Sequence, residues 1–391
     1  MPMQLASRMQ RLGTETAFEV LARAKALEAK GRSIIHLEIG EPDFDTPQNI
    51  VDAGVRALQD GATHYGPSAG LPDARQRFAE YFARDRGIDV SAENVVITPG
   101  AKPILYFAIR ALVEAGDEVV YPNPGFPIYE SVINFCGGKA VPLPLRQEND
   151  FRLDHDELRA LASNKTKLII INTPANPTGG VLTREDMEVV SEVAREHDCW
   201  VLSDEIYSHI LYDRKHVCML EFDGMAERTI VLDGHSKTYA MTGWRLGYGV
   251  MPRDLAESIA RLMTNVNSCT ASFTQIAGIE ALHGDQSGAK AMVEEFKLRR
   301  DMLVQQLNEI DGVRCALPGG AFYAFPNIAA LGVDSGVFAK TLLDEFGVAA
   351  LAGTAFGKYG DGFLRLSYAN SQENLREGVS RLAQCVASLR S

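Results

Sequence analysis

The sequence predicts an α/β fold whose core is a mostly parallel sheet covered by helices on both faces. Between about residues 50 and 250, short β-branched runs alternate with helical segments, as in strands joined by crossover helices. Near residue 285 the pattern changes to one long amphipathic helix, followed by strands bounded by glycines. We therefore expect a large sheet domain and a smaller α+β domain.

The elements that precede the sheet are a helix and a short apolar run. The segment AFEVLARAKALEAKG predicts the helix, with Thr16 as its cap, Glu19 completing a capping box and Gly31 as its stop. An apolar run at 33–39 and the turn-rich segment GEPDFDTPQN follow.

The sheet region contains six predicted strands and five predicted helices. The strands are 95–98, 118–121, 168–172, 200–204, 229–233 and 246–251. The helices are 50–59, 72–86, 102–114, 127–136 and 184–197.

The second domain begins with the long helix at 289–310. Strands at 313–317, 321–325 and 363–368 and helices at 335–345 and 372–389 follow. No low-complexity linker separates the two parts, so we expect them to pack together. We expect residues 1–45 to form an N-terminal arm and part of the small domain, 46–285 the large domain, and 286–391 the interdomain helix and the C-terminal small domain.

The composition argues against several classes of protein. A net charge of −12 disfavours nucleic-acid and acidic-membrane partners, because phosphate binding needs clustered Lys and Arg. No apolar stretch reaches the length of a membrane span, and the N-terminus lacks the apolar core of a signal peptide. The six scattered cysteines and eight histidines have no metal-ligand spacing. We expect a soluble cytoplasmic protein with buried thiols and no metal site.

Two glycine motifs begin like nucleotide-binding fingerprints and then depart from them. The Gly247-Tyr-Gly249 segment has Pro252 where a dinucleotide fingerprint has its third glycine. The segment from Gly353 to Lys358 is one residue shorter than a P-loop, and Tyr359 replaces its Ser or Thr. Neither motif predicts a nucleotide site.

Four segments place polar residues where strands should end, which is where open α/β sheets bind ligands. Asn176 lies between two prolines after the strand at 168–172, and Asp204 ends the strand at 200–204. Lys237 follows the strand at 229–233, with Arg245 eight residues later. The segment VITPGAKP turns from a strand into a helix. Taken singly, Asn176 could be a turn residue and Asp204 a helix cap.

Together these segments supply the groups that one ligand needs. A lysine at a strand end can have its pKa lowered and form a Schiff base. Arg245 and a helix N-terminus suit a phosphate, and Asp204 suits a protonated ring nitrogen. The ligand that requires all of these groups is pyridoxal 5′-phosphate.

The motifs NPTGG, SDEIY, SK-x5-GWRLGY and RLSYAN occur in this order. In these motifs the chain resembles the class I/II aminotransferases of the fold-type I pyridoxal-phosphate enzymes, most closely the bacterial aspartate aminotransferase-like subgroup, from Gly40 to Asn370. The resemblance implies a seven-stranded sheet in a large cofactor-binding domain and a homodimer with shared active sites. It also implies ping-pong amino transfer between an L-amino acid and a 2-oxo acid such as 2-oxoglutarate, oxaloacetate or pyruvate.

The resemblance also implies roles for individual residues. Lys237 is the Schiff-base lysine, Asp204 pairs with the pyridine nitrogen, and Tyr207 bonds the phenolic oxygen. The other cofactor-binding positions are Gly100, Ala101, Lys102, Phe126, Asn176, Ile206, Ser236 and Arg245, with Tyr65 supplied by the neighbouring subunit. The substrate-binding positions are Gly40, Asn176, Lys102 and Arg365, of which the last clamps the α-carboxylate.

Two positions bear on substrate and phosphate recognition. Lys102 matches a lysine that reads the distal carboxylate in aspartate-specific members of the family, which favours an aspartate- or glutamate-type donor. The alternative is that Lys102 faces only the phosphate or solvent. Gly234 stands where the family commonly has a phosphate-binding serine, so one contact is missing or rebuilt through Ser236.

Two other functions are compatible with parts of this pattern. A β- or γ-eliminating lyase, a cyclopropane-forming synthase or a decarboxylase would use the same cofactor groups, since the protein only selects which bond is labile. A non-enzymatic effector domain of a transcription regulator would need a DNA-binding helix pair, and only 30 residues precede Gly31.

Overall fold

The computed structural model describes residues 4–389. The helices are α1 Thr16–Glu28, α2 Gln48–Gln59, α3 Pro72–Arg86, α4 Lys102–Leu112, α5 Ile128–Cys136, α6 His155–Leu161, α7 Arg184–Glu196, α8 His235–Thr238, α9 Arg253–Val266, α10 Ser272–His283, α11 Ser287–Asn308, α12 Ser335–Asp344 and α13 Gln372–Ser388. The strands are β1 Ile35–His36, β2 Val95–Thr98, β3 Glu118–Asn123, β4 Lys139–Pro144, β5 Thr166–Asn172, β6 Trp200–Asp204, β7 Thr229–Gly234, β8 Gly247–Val250, β9 Tyr323–Ala324, β10 Val348–Ala349, β11 Leu351–Ala352 and β12 Leu364–Ser367.

A seven-stranded sheet forms the centre of the molecule, in the order β2-β8-β7-β6-β5-β3-β4. Strand β8 runs antiparallel to β2 and β7, and the other neighbouring strands are parallel. The prediction of a mostly parallel sheet is therefore confirmed. In this register Asn172 pairs with Asp204, and Asp204 pairs with Leu232. The carboxyl ends of β5, β6 and β7 consequently lie side by side.

Helices cover both faces of this sheet, as the strand side chains show. Leu202 and Ile230 belong to one fully buried apolar cluster, whereas Val201 and Ile169, which point to the opposite face, belong to another. Fully burying a side chain of this kind stabilises the fold by about 1.5–3 kcal/mol. The strands are thus fixed from both sides, and their loops are held at one edge.

Several predicted elements need correction. Strand β4 is absent from the prediction because it contains Pro142 and Pro144, which are tolerated at the edge of a sheet, where β4 lies. Thr16 is the first residue of α1 rather than its cap, and Glu15 precedes it without a capping side-chain bond. The predicted strand 313–317 contributes only an isolated bridge between Arg314 and Asn327. The apolar run 33–39 contains only the two residues of β1. Helices α6, α8, α9 and α10 and strands β10 and β11 are also missing from the prediction.

Segments from the two ends of the chain meet outside the large sheet. Strand β1 pairs in parallel with β10, and β11, β12 and β9 form a three-stranded antiparallel sheet. The pairing of residue 35 with residue 348 brings together segments from the two parts of the chain that we expect to form the small domain. The exact boundaries stay a prediction.

Three observations bear on membrane, metal and thiol chemistry. Within 4–389, none of the helices is both long and apolar enough to cross a lipid bilayer. The same residues contain no group of three or more His, Cys, Asp or Glu side chains suited to a metal ion. All six cysteines are free thiols; Cys136 and Cys269 are half-buried and the other four are buried.

Candidate active site

A cavity of about 380 Å³ lies where β5, β6 and β7 end. Its volume falls in the range of roughly 300–1,000 Å³ that is typical of small-molecule sites. Residues from the seven-stranded sheet line one side, Tyr323 and Arg365 come from β9 and β12 of the three-stranded sheet, and Gly40 follows β1. The cavity therefore lies between the seven-stranded and three-stranded sheets, at the edge where the sequence predicts a ligand site.

Most residues singled out in the sequence lie on this cavity. They are Gly40, Ala101, Lys102, Phe126, Asn176, Asp204, Ile206, Tyr207, Ser236, Lys237, Arg245 and Arg365. Gly100 lies next to the wall, beside the Arg245 guanidinium. Tyr65 lies outside the cavity and is 90% exposed, and its expected role in a neighbouring subunit stays a prediction. The individual roles stay predictions, but their proximity is a property of the fold.

Lys237 lies on α8, directly after the buried strand β7. Its Nζ donates a hydrogen bond of 2.6 Å to the backbone oxygen of Gly40. Burial lowers the pKa of the Lys237 amine to about 8, and the cationic Arg365 nearby acts in the same direction. About a tenth of the amine is then neutral at pH 7, and the neutral amine is the form that attacks a carbonyl.

Gly40 has no room for a side chain. A Cβ atom at this position would lie 2.2 Å from the hydroxyl oxygen of Tyr323. The glycine therefore lets the chain pass close to both Tyr323 and Lys237.

Asp204 ends β6 and is 7% exposed. The Tyr129 hydroxyl donates a 2.6 Å hydrogen bond to Oδ2, and the Ile206 N–H donates one of 3.3 Å to Oδ1. Burial raises the pKa of Asp204 to about 6, while the bond from Tyr129 opposes that rise. The carboxylate is thus mainly ionised at neutral pH, and it can stabilise a cation in the cavity.

Arg365, Tyr323 and Tyr207 form a buried cluster that lines the cavity. Arg365 Nη1 donates to Asn176 Oδ1 at 3.2 Å, and Nη2 donates to the backbone oxygen of Glu38. The guanidinium lies 4.6 Å from the ring centre of Tyr323, whose hydroxyl is 2.7 Å from that of Tyr207. Among the described residues, buried Arg365 Nε has no hydrogen-bond partner. An unpaired buried donor is costly, so this arginine suits an incoming anion.

Glycines shape the wall where α4 begins. A Cβ at Gly100 would lie 2.3 Å from Arg245 Nη2, and one at Gly247 would lie 2.3 Å from the Ala101 backbone nitrogen. The start of α4, with its partial positive charge, therefore packs closely against Arg245 and β8 at the cavity. A phosphate fits this combination of a helix N-terminus and a guanidinium.

The structure explains why a serine does not stand at position 234. A Cβ on Gly234 would lie 3.0 Å from the Cα of Gly247 and 3.2 Å from the backbone oxygen of Leu246. A side chain there would push β7 away from β8. Ser236, two residues later, lies on the cavity and is a hydroxyl available to a phosphate.

Lys102 has an unexpected partner on the N-terminal segment. Its Nζ forms an ion pair with Glu15 and lies 5.2 Å from the ring centre of Phe126. Glu15, Thr16 and Phe18 all line the cavity. The start of α1 therefore forms part of the site, although none of the cofactor-binding motifs described above includes it.

Two further missed residues carry detectable signals. Tyr129 follows Phe126 by three positions, the spacing of neighbours on a helix face, and it lies at the start of α5. Tyr323 lies in a short buried strand, where a tyrosine hydroxyl needs a partner. No local signal points to Glu15, because its partner lies 87 positions away.

These groups fit pyridoxal 5′-phosphate. Lys237 can hold its aldehyde carbon, Asp204 its ring nitrogen, and Arg245 with the start of α4 its phosphate. The closely packed glycines and the unpaired Arg365 Nε leave places for the phosphate and a substrate carboxylate.

Comparison with known proteins places the chain in a family. Residues 32–382 match the family model "Aminotransferase class I and II". An aspartate aminotransferase of Pyrococcus horikoshii is 43% identical over 94% of this chain and 93% of its own length. An arginine–pyruvate transaminase of Pseudomonas aeruginosa is 39% identical over 95% of each chain. The structure of Thermus thermophilus aspartate aminotransferase with maleate superposes with a TM-score of 0.93 at 35% identity, covering 98% of this chain and 100% of that one. The chain belongs to the class I and II aminotransferases, transaminases that work with pyridoxal 5′-phosphate.

Proposed function

We propose that this aminotransferase moves an amino group from an aspartate- or glutamate-type L-amino acid to a 2-oxo acid, in the two half-reactions of a ping-pong cycle. The acceptors we propose are 2-oxoglutarate, oxaloacetate and pyruvate. The observation that carries the proposal is the placement of Arg365 and Lys102 on the same cavity as Lys237. Two cations beside one amine suit a substrate with two carboxylates.

Arg365 is the group that we expect to bind the α-carboxylate. Its planar fork can make two parallel hydrogen bonds to a carboxylate, and its Nε lacks a partner in 4–389. Asn176 and Tyr323 hold the guanidinium in place. A substrate bound in this way has its Cα fixed near Lys237, and such fixed positioning lowers the barrier to proton transfer.

Lys237 is the group that we expect to move the proton at Cα. When bound, pyridoxal 5′-phosphate supplies an electron sink for the cleavage of that Cα–H bond and carries the amino group between the half-reactions. A lysine whose pKa is lowered to about 8 can both accept and return a proton near neutral pH. Asp204 stabilises positive charge on the ring, and Tyr207 and Asn176 orient its phenolic oxygen.

Lys102 supports an acidic substrate. It is half exposed at the cavity and lies over the face of Phe126. The relatives differ in the donor that their names state, aspartate in one and arginine in another. Membership of the family therefore leaves the donor open, and the preference rests on the charge of Lys102.

A half-reaction experiment tests this proposal. Holoenzyme is mixed with each of twenty amino acids singly, and the cofactor absorbance is followed. We expect the conversion to be fastest with aspartate or glutamate, and Lys237→Ala to bind cofactor without a covalent link and without turnover. Lys139→Ala, an exposed lysine paired with Glu118, should behave as wild type. Release of pyruvate and ammonia without an acceptor, or full activity of Lys237→Ala, would contradict the proposal.

We further propose that the enzyme is a homodimer in which Tyr65 completes the site of the other subunit. The exposure of this aromatic side chain supports the proposal. Light scattering should give twice the chain mass. Mixing Lys237→Ala with Tyr65→Phe should produce hybrid dimers with one intact site and more activity than either parent. The absence of such complementation would argue against a shared site.

A further inference from the structure

We infer that Glu15 is a specificity-determining residue, which competes with the distal carboxylate of a substrate for Lys102. The inference deepens the proposed function and rests on it, since it concerns the donor that the same site prefers. It predicts that the enzyme's preference for acidic donors is restrained by its own N-terminal segment.

The first observation is the ion pair itself. Glu15 Oε1 contacts Lys102 Nζ, and the side chain of Glu15 is 21% exposed whereas that of Lys102 is 48% exposed. Both residues line the cavity. A substrate carboxylate that approaches Lys102 must therefore displace Glu15 or share the lysine with it, and two adjacent carboxylates repel each other.

The second observation is that the charge of Glu15 reaches the other end of the substrate space. Glu15 is among the charges that act on the pKa values of both Arg365 and Tyr323. Arg365 is the expected binder of the α-carboxylate. Glu15 therefore lies within electrostatic reach of both Lys102 and Arg365, which are the two ends of a bound dicarboxylate.

The third observation is the charge balance of the cavity. Its cationic side chains are Lys102, Lys237, Arg245 and Arg365, and its carboxylates are Glu15, Glu41 and Asp204. Arg245 is expected to be neutralised by a phosphate and Arg365 by an α-carboxylate, while Lys237 becomes part of the reaction. Lys102 then faces Glu15, so a distal carboxylate has to compete with Glu15 for this one remaining cation.

The same segment offers a neutral substrate an apolar wall. Phe18, three positions after Glu15, lines the cavity together with Phe126 and Leu105. Once Glu15 has neutralised Lys102, an apolar donor meets this wall without having to desolvate a lone charge. The pair thus tolerates neutral donors and weakens, without removing, the preference for acidic donors.

Substitution of Glu15 tests the inference directly. Glu15 makes no capping bond to α1, so Glu15→Gln should leave the helix intact. We expect the half-reaction with glutamate or aspartate to become at least about tenfold more efficient, the effect of removing one nearby like charge from a partly shielded site. The half-reaction with leucine or phenylalanine should change by less than about twofold, as for a surface charge. Glu15→Lys should raise the efficiency with acidic donors further.

Two controls separate this effect from a general one. Glu19→Gln removes an exposed carboxylate from the same helix, away from the cavity, and should match wild type. Lys102→Ala combined with Glu15→Gln should abolish the gain. An unchanged or reduced rate with acidic donors in Glu15→Gln, or an equal gain for all donors, would overturn the inference.

Binding of unreactive ligands keeps the inference separate from the proposed function. Succinate and butyrate both have four carbons, but succinate carries two carboxylates whereas butyrate carries one. Glu15→Gln should tighten succinate about tenfold and leave butyrate unchanged, by titration of the holoenzyme. If wild type reacts with no amino acid, the proposed function fails. If succinate binding is the same in wild type and variant, the inference about Glu15 fails.

Discussion

Tyr129→Phe is a sensitive test of how Asp204 is held. The substitution removes one hydroxyl, which donates the shorter of the two hydrogen bonds to this carboxylate, at 2.6 Å. The other bond, from the Ile206 N–H, is 3.3 Å long and stays in place. The aromatic ring also stays, so the packing of α5 should not change.

The magnitude follows from the strength of such a bond. A hydrogen bond to a charged group contributes about 1.5–3 kcal/mol, and one pKa unit corresponds to about 1.4 kcal/mol. The pKa of Asp204, which burial already raises to about 6, should therefore rise by about one to two further pH units in Tyr129→Phe. At neutral pH a large share of the variant then has an uncharged Asp204.

The assay is the pH dependence of cofactor affinity. A protonated ring nitrogen binds best to ionised Asp204, so the affinity should rise with pH and level off above the pKa of the carboxyl in the free protein. In wild type the contribution of Asp204 should level off above about pH 6, while the ionisation of Lys237, whose pKa is about 8, is shared by both proteins. Tyr129→Phe should level off at a higher pH and bind more weakly at pH 7. The ionisations of the cofactor itself are common to all variants and do not affect the comparison.

Tyr121→Phe is the matched control. Tyr121 is also buried, and its hydroxyl donates to Glu130 at 2.8 Å, outside the cavity. Its pH profile should coincide with that of wild type. If Tyr129→Phe also coincides with wild type, the hydrogen bond from Tyr129 does not keep Asp204 ionised, and the prediction is refuted.

Two further predictions concern stability. The guanidinium of Arg86 lies 3.2 Å from the buried carboxylate of Glu205 and 3.7 Å from that of Asp233. Arg86→Gln removes it, so the free energy of unfolding measured by urea titration should fall by about 3–5 kcal/mol. The control Arg77→Gln, at an exposed ion pair, should lower it by less than about 1 kcal/mol. Unchanged stability of Arg86→Gln would refute the importance of that network. Gly234→Ser should lower the melting temperature and weaken cofactor binding, because the new Cβ would lie only 3.0 Å from the Cα of Gly247 on the neighbouring strand. Tighter cofactor binding would instead mean that the serine restores a phosphate contact.

The sequence predicts the central strands well because they are buried on both faces. Strands β2 and β6 match their predicted bounds, since continuous apolar runs ending in polar residues define them. The edge strand β4 and helix α10 are not predicted, because neither shows such an apolar run. Gly278 lies inside α10, where it is usually unfavourable, but a Cβ there would lie 2.3 Å from Leu246, so close packing requires the glycine. Such requirements come from distant parts of the chain.

The residues of the site also differ in whether the local sequence identifies them. Asp204 and Lys237 can be identified locally, because each is a charged residue at the end of an apolar run. The partners that set their behaviour are distant in sequence. Tyr129 lies 75 positions from Asp204, and Gly40 lies 197 positions from Lys237. Local patterns therefore identify the reactive groups, whereas the pKa of each group depends on tertiary contacts.

A buried ion network outside the cavity links these two reactive residues. Glu205 directly follows Asp204, and Asp233 precedes Lys237 by four positions; both carboxylates contact Arg86 of α3. Burial alone would raise the pKa of Glu205, but its interaction with His216, whose Nε2 lies 2.6 Å away, and with Arg86 lowers it to about 2. Glu205 is therefore ionised throughout the neutral range and keeps its attraction to Arg86. One guanidinium thus connects the ends of β6 and β7, so we expect the spacing between Asp204 and Lys237 to depend on a residue that contacts neither of them.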